Sequence, residues 1–303
     1  MEALTYASDT IEAVVLPDAG ARLHRLRVFG HDLLRTPNDP ALHRADPFFW
    51  GAYVMAPWCN RLEAQPIRVG SRLLDLPSNF PDGSAIHGQV YAQPWQVRED
   101  GRLAIYGGGN EWPWHYQVEL RLTVSGSELR LELRLTNHDR EPMPGGLGIH
   151  PWFRRPLRAA IHAADVFEDN LRTDARPQPV AGRLDLRVLT TMPMGLDATW
   201  AHVADPAVEL VWPARVRAFM HVEAPDAFIV AASPPSLGAI AVEPQTHAPQ
   251  GLRRMLSGEP GALALLEPHA HLSLTVRLAF EELGHIGPGT PCATVSGIVS
   301  TSL

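Results

Sequence analysis

Three short segments carry ionisable groups in settings that suit proton transfer: Ile86-His87-Gly88, Gly148-Ile149-His150-Pro151-Trp152-Phe153 and Val242-Glu243-Pro244-Gln245. Two imidazoles and a carboxylate that converge can give and take protons near neutral pH, because their surroundings tune their pKa values across that range. Glu243 follows the apolar run Leu237–Val242 and precedes Pro244, which biases it toward an extended backbone. A carboxylate at the end of a buried strand loses hydration, which raises its pKa and makes it a better base. His150 lies between a glycine-rich stretch and the aromatic pair Trp152-Phe153, where a ring has an apolar wall or stacking platform. Taken singly, each has a plainer reading: a strand-end carboxylate paired with arginine, a half-buried histidine bonded to a carbonyl, a turn histidine before glycine.

Other polar groups fit a binding role. Asn60-Arg61 follows Ala56-Pro57-Trp58-Cys59, and a guanidinium offers a fixed fork of donors that suits vicinal hydroxyls or a carboxylate. Asp197, in Gly195-Leu196-Asp197-Ala198-Thr199, is either an acceptor for ligand hydroxyls or a turn cap. Among 14 histidines, His269 and His271 have a two-ligand spacing on one strand face, but no third ligand is evident, so no metal is expected. Gly107-Gly108-Gly109 runs into Asn110-Glu111-Trp112-Pro113, not into a helix, so it is no phosphate loop. No serine nucleophile elbow is present.

The elements that must position these groups are strands. Leu129, Leu131, Leu133 and Leu135 alternate with Arg130, Glu132, Arg134 and Thr136, and the same period returns from Leu272 to Phe280. Weaker alternation marks Ile11–Leu16, Tyr116–Val124, Ala207–Trp212 and Ala227–Ala232. Twenty-eight prolines and 24 glycines leave little room for helices beyond short turns near His31–Leu34 and Gln250–Leu256. The pattern predicts one all-β domain over residues 1–283, a large antiparallel β-sandwich, with a flexible tail over 284–303. The net charge of −7 argues against a nucleic-acid or anionic-membrane partner. No stretch has the length of a membrane span, and the polar amino terminus does not read as a signal peptide. Two distant cysteines, Cys59 and Cys292, make no disulfide framework, and a cytoplasmic location is expected.

In this order, the segments resemble the aldose 1-epimerase (galactose mutarotase) family: Asn60-Arg61, His87-Gly88, His150 followed by aromatics, Asp197, and Glu243-Pro244-Gln245. The likeness runs from about residue 9 to 282. It implies a β-sandwich with an open sugar-binding groove on one sheet, and a cofactor-independent isomerase that interconverts α and β anomers. It further implies Glu243 as general base, His150 as general acid, and His87, Arg61 and Asp197 as substrate contacts; Asn60 beside Arg61 and Trp152 in the aromatic pair after His150 are further substrate-binding candidates. On that view Glu243 and His150 face each other across a gap the size of a pyranose, with Glu243 ionised and His150 protonated. The partner is a small-molecule sugar, and the chain is a monomer or homodimer. One departure concerns Pro151-Trp152-Phe153-Arg154, where the family more usually has Thr-Tyr-Phe-Asn. That change bears on which sugar is bound, and Arg154-Arg155 raises a phosphorylated sugar as an alternative substrate. A non-catalytic carbohydrate-binding protein is the alternative of another class. A lyase or inverting hydrolase would need a longer cleft and a second carboxylate, and no partner for Glu243 is evident.

Overall fold

The alternation in the sequence becomes a sheet whose strands pair antiparallel throughout. The computed structural model describes residues 2–170 and 176–284, and all but the first residue of the tail expected over 284–303 lies outside them. Eighteen strands join in one continuous sheet, with three separate two-stranded sheets beside it. One half can be followed outward from His271–Glu282, which pairs with Glu128–Asn137, then Tyr116–Ser125, Leu103–Gly107 and Gln96–Val97. The register sets Leu129 opposite Leu278 and Leu133 opposite Leu274, so both alternating runs turn their leucines to the same core face. On its other edge His271–Glu282 pairs with Val216–Glu223, which leads to the 16-residue strand Asp197–Trp212.

The other half carries the candidate site. Ile11–Leu16 pairs with Arg22–Val28, which meets Ala52–Met55 through Leu23 and Ala52. Ala52–Met55 then pairs with Gly148–Arg154, which pairs with Ala239–Gln245, then Phe228–Ala232 and Asp197–Trp212. These central strands are buried on both faces. Val54, Ile149, Phe153, Ile240 and Val242 enter the main core, while Tyr53, Met55, Trp152, Ala239 and Ala241 form a smaller apolar cluster on the opposite face. That second face is the floor of a cleft.

Two of the short helical turns come out differently from each other. Gly251–Ser257 is a helix, closed by Gly258 in the left-handed region. His31–Asp32 is a strand rather than a helical turn, because Phe29-Gly30, both with positive φ, reverses the chain and returns it along Arg27 and Val28. A further one-turn helix, Leu42–Ala45, carries no apolar period that would have marked it. Among the described residues no helix is long and apolar enough to cross a membrane.

Candidate active site

Register alone brings the acid and base candidates together. Tyr53 pairs directly with His150, and the ladder that sets Gly148 opposite Gln245 and Trp152 opposite Ala241 puts His150 level with Glu243. Between those two ladder points stand Pro151 and Pro244, neither of which has an N–H to donate. The ladder therefore opens where the reactive side chains project, and alternation sends His150, Trp152, Ala241 and Glu243 to the cleft face. Nε2 of His150 lies 3.1 Å from Oε1 of Glu243. Both side chains are buried, and Oε2 of Glu243 has no protein partner. The expected pyranose-sized gap between the two is absent: they are cross-strand neighbours in contact.

His87, Asn60 and Arg61 arrive on a separate hairpin. Arg61–Glu63 pairs with Ser84–Ile86, so Asn60 and His87 leave the same end of it side by side. His87 N–H donates to the Asn60 carbonyl at 3.1 Å, and Asn60 N–H donates to Nδ1 of His87 at 3.3 Å. Both residues have positive φ. Gly88 follows at φ +75°, where a Cβ would sit 1.9 Å from the carbonyl oxygen of Ala56. Only glycine lets these two chains cross so closely. His247 braces the other side: it donates from Nδ1 to the Ala248 carbonyl and accepts the Cys59 N–H on Nε2 at 2.9 Å.

The sequence candidates all line one cleft: Asn60, Arg61, His87, His150, Trp152, Asp197 and Glu243. Its empty volume is about 560 Å³, counted to the open mouth. Arg61 is held by Asp82 at 2.7 Å and lies 3.6 Å from Asp197, which stands at the rim at the start of its strand. The Asn60 side-chain oxygen caps its own chain, accepting the Arg61 N–H at 2.8 Å, so only its amide nitrogen is free for a ligand. Trp152 donates its indole N–H to the Phe48 carbonyl and stands 5.0 Å from the His150 ring. Arg154 and Arg155 do not line the cleft: Arg154 donates to the Leu34 carbonyl and Arg155 to the Ser233 hydroxyl.

Some lining residues had no separate signal in the sequence. Phe48, Phe49 and Phe80 wall the cleft, and Tyr53 stacks on His150 at 4.6 Å and 22°. Asn170, outside the lining, supports Asp197: it donates to Asp197 and accepts from Thr199.

Burial governs the electrostatics. Desolvation, then the Asp197 charge, pushes the Glu243 carboxyl well above its usual range, with Arg61 opposing. Desolvation lowers His150 to about 3, opposed by its own backbone and assisted by Arg22 and Arg61. His87 is lowered for the same first reason, and by His150 and Arg61 after it. Burial thus works against charge on both groups, pushing the carboxyl and the imidazole each toward its neutral form. That runs against the expected pairing of ionised Glu243 with protonated His150.

Ligating atoms of His87, His150 and Glu243 lie within 4.8 Å of one another, close enough to raise a cation site. The hydrogen bond from Asn60 decides against it. Because Nδ1 of His87 accepts that N–H, Nε2 carries the ring proton and has no lone pair for a metal. The same tautomer makes Nε2–H of His87 a donor. The other metal candidates, His269 and His271, are both exposed and do not share a strand face: His269 turns at positive φ ahead of the strand that begins at His271, whose Nδ1 accepts from Arg134.

The sequence profile of the aldose 1-epimerase family matches residues 2–245. In Escherichia coli K12 the uncharacterised protein YphB is 25% identical over 114 residues, which span 37% of this chain and 39% of YphB. A solved structure of a candidate aldose 1-epimerase from the same organism superposes with a TM-score of 0.77 at 22% identity, covering 93% of this chain and 99% of that one. Galactose 1-epimerase from Lactobacillus acidophilus gives a TM-score of 0.75 at 20% identity, covering 93% and 95%. These similarities show the galactose mutarotase-like fold, and with the profile match they establish that the chain belongs to the aldose 1-epimerase family.

Proposed function

We propose that this protein interconverts the α and β anomers of a free aldose by acid/base-catalysed opening of the cyclic hemiacetal. The observation that carries the reading is the 3.1 Å contact between Nε2 of His150 and Oε1 of Glu243. Ring opening removes a proton from the C1 hydroxyl and adds one to the ring oxygen. Those two oxygens share one carbon, so the groups that serve them must stand side by side rather than across a ring.

Glu243 presents Oε2, its oxygen without a partner, to the C1 hydroxyl. Hydrogen bonds from the sugar to that oxygen favour the carboxylate, which moves the pair's proton across to His150. His150 delivers it to the ring oxygen while Glu243 takes the hydroxyl proton, and His87 Nε2–H steadies the oxygen as charge develops. Neither a free alkoxide nor an oxonium forms, and each positioned transfer contributes about 10²–10⁴-fold. Rotation about C1–C2 and reclosure with the roles reversed yields the other anomer. This chemistry runs on the chain's own side chains.

A neutral sugar suits the cleft better than a sugar phosphate. Arg61 is the only lysine or arginine among the lining residues, and Asp82 and Asp197 already balance it. Freshly dissolved α-glucose and α-galactose, with and without 6-phosphate, followed by polarimetry, test the reading. Acceleration of the free sugars supports it; sugar binding without acceleration assigns a carbohydrate-binding protein instead.

A further inference from the structure

The row that contains the acid/base pair extends two strands further. Leu23 pairs with Ala52, which puts Arg22 level with Tyr53, and Tyr53 in turn pairs with His150. Arg22, Tyr53, His150 and Glu243 thus form one line across four neighbouring strands. Along it the Arg22 guanidinium carbon is 4.7 Å from the Tyr53 ring centre, and the Tyr53 and His150 rings are 4.6 Å apart. The line ends in the 3.1 Å contact to Glu243.

Arg22 is an unusual occupant of such a place. It is fully buried, and among the described residues no carboxylate bonds it. Its donors go to the carbonyls of Trp50 at 2.6 Å, Pro47 at 2.7 Å, Tyr91 at 3.1 Å and Ala19 at 3.4 Å. Burial brings it to about 10, so it stays cationic at neutral pH. Carbonyls satisfy its hydrogen bonds without cancelling its charge. A buried cation with no bonded counter-ion acts over a longer range than a paired one, because little water screens it.

From this geometry we infer that Arg22, acting through the Tyr53 ring, is a positioning residue that makes the His150 imidazolium a stronger acid. The inference rests on the ring-opening role proposed for His150. Moving the proton from Glu243 to His150 brings positive charge toward Arg22, which opposes the move. The imidazolium therefore holds its proton weakly. The ring oxygen it must protonate is a poor base, so a stronger acid narrows the mismatch in the transfer. The other groups facing His150 cannot replace this effect. Glu243 is its proton partner, Arg61 is matched by two carboxylates, His87 is held neutral by burial, and Tyr53 is a phenol held un-ionised. Asp46 acts on Arg22 and Tyr53 from a distance without bonding either.

The test is the titration of His150 in the ligand-free protein, read from its imidazole nitrogens by NMR. This readout does not depend on turnover, so it fails separately from the proposed activity, which the wild-type anomer assay decides. Arg22→Met is expected to raise the midpoint by at least about one pH unit, while Arg22→Lys keeps it near the wild-type value. A folded Arg22→Met protein with the wild-type midpoint overturns the inference. Arg22 also ties four loop carbonyls, so its loss can unfold the protein, and then Arg22→Gln, which offers amide donors to those carbonyls without the charge, decides. Its midpoint is expected to rise as in Arg22→Met, whereas Tyr53→Phe keeps the wild-type value. An unchanged midpoint in a folded Arg22→Gln protein rejects the inference.

Discussion

His150 and Glu243 touch because they are level on adjacent antiparallel strands, at the one stretch of that ladder where two prolines withhold the backbone hydrogen bonds. The pair is therefore fixed by the sheet, with both side chains on its cleft face. Glu243→Gln keeps the volume and the neutral character that burial favours for the resting carboxyl. We expect mutarotation to fall by at least about 10²–10⁴-fold. The melting temperature should change little, since an amide replaces a carboxyl already held neutral. Polarimetry and thermal melting on the same sample check both, and a wild-type rate in the variant removes Glu243 from the mechanism.

The pH profile follows from the pair's proton count. Activity needs one proton on the pair, and a second reaches His150 only as pH falls toward about 3. The first leaves only as pH rises past the elevated Glu243 value. Between these limits the rate is expected to stay level, so kcat/KM at pH 5 should lie within about two-fold of that at pH 7. An acid limb centred at the ordinary histidine value would contradict the buried, coupled pair.

His87→Ala removes a donor whose direction the Asn60 N–H sets. Loss of one such bond costs about 1–3 kcal/mol when the partner is left unsatisfied. On the proposed mechanism KM should rise and kcat should fall, because the donor would meet both the bound sugar and the developing charge. Steady-state kinetics with both parameters unchanged would place His87 outside the reaction.

The His87 tautomer also bears on metals. Exhaustive dialysis against a chelator is expected to leave the rate unchanged, and added Zn²⁺ should not increase it. Activity that disappears on chelation and returns with one metal would mean that Nε2 of His87 is free to ligate.

Gly88→Ala tests the crossing with Ala56. A Cβ at 1.9 Å from a carbonyl cannot be accommodated without moving backbone, and φ is +75°. Strain of this kind costs about 1–3 kcal/mol or more, so the melting temperature should drop and sugar affinity should weaken together. A variant with wild-type stability would show that this loop yields easily.

How far the sequence anticipates this molecule depends on the range of the interactions. Leu129–Leu135 and Leu272–Phe280 announce strands because alternation is local, and of the two short helical turns expected only the one near Gln250–Leu256 forms a helix. The contact between His150 and Glu243 depends on register between segments about ninety positions apart, which no local pattern encodes. Family resemblance supplied that convergence, but not its form. Two neighbours in contact replace the opposed groups it suggested, and burial works against charge on both. Tyr53 and Arg22 were illegible for the same reason. Each lies in an ordinary apolar or mixed strand, and only pairing across the sheet gives them a shared line with His150.

The acid/base pair belongs to sheet strands, whereas Arg61 and His87 hang from a hairpin pinned at Gly88, and Phe48 and Phe49 from a connection pinned by Arg22. Reactivity and recognition are thus mounted on different supports. On the proposed function, such a division would let the loops diverge and so change the sugar accepted, while the pair on the sheet stays as it is.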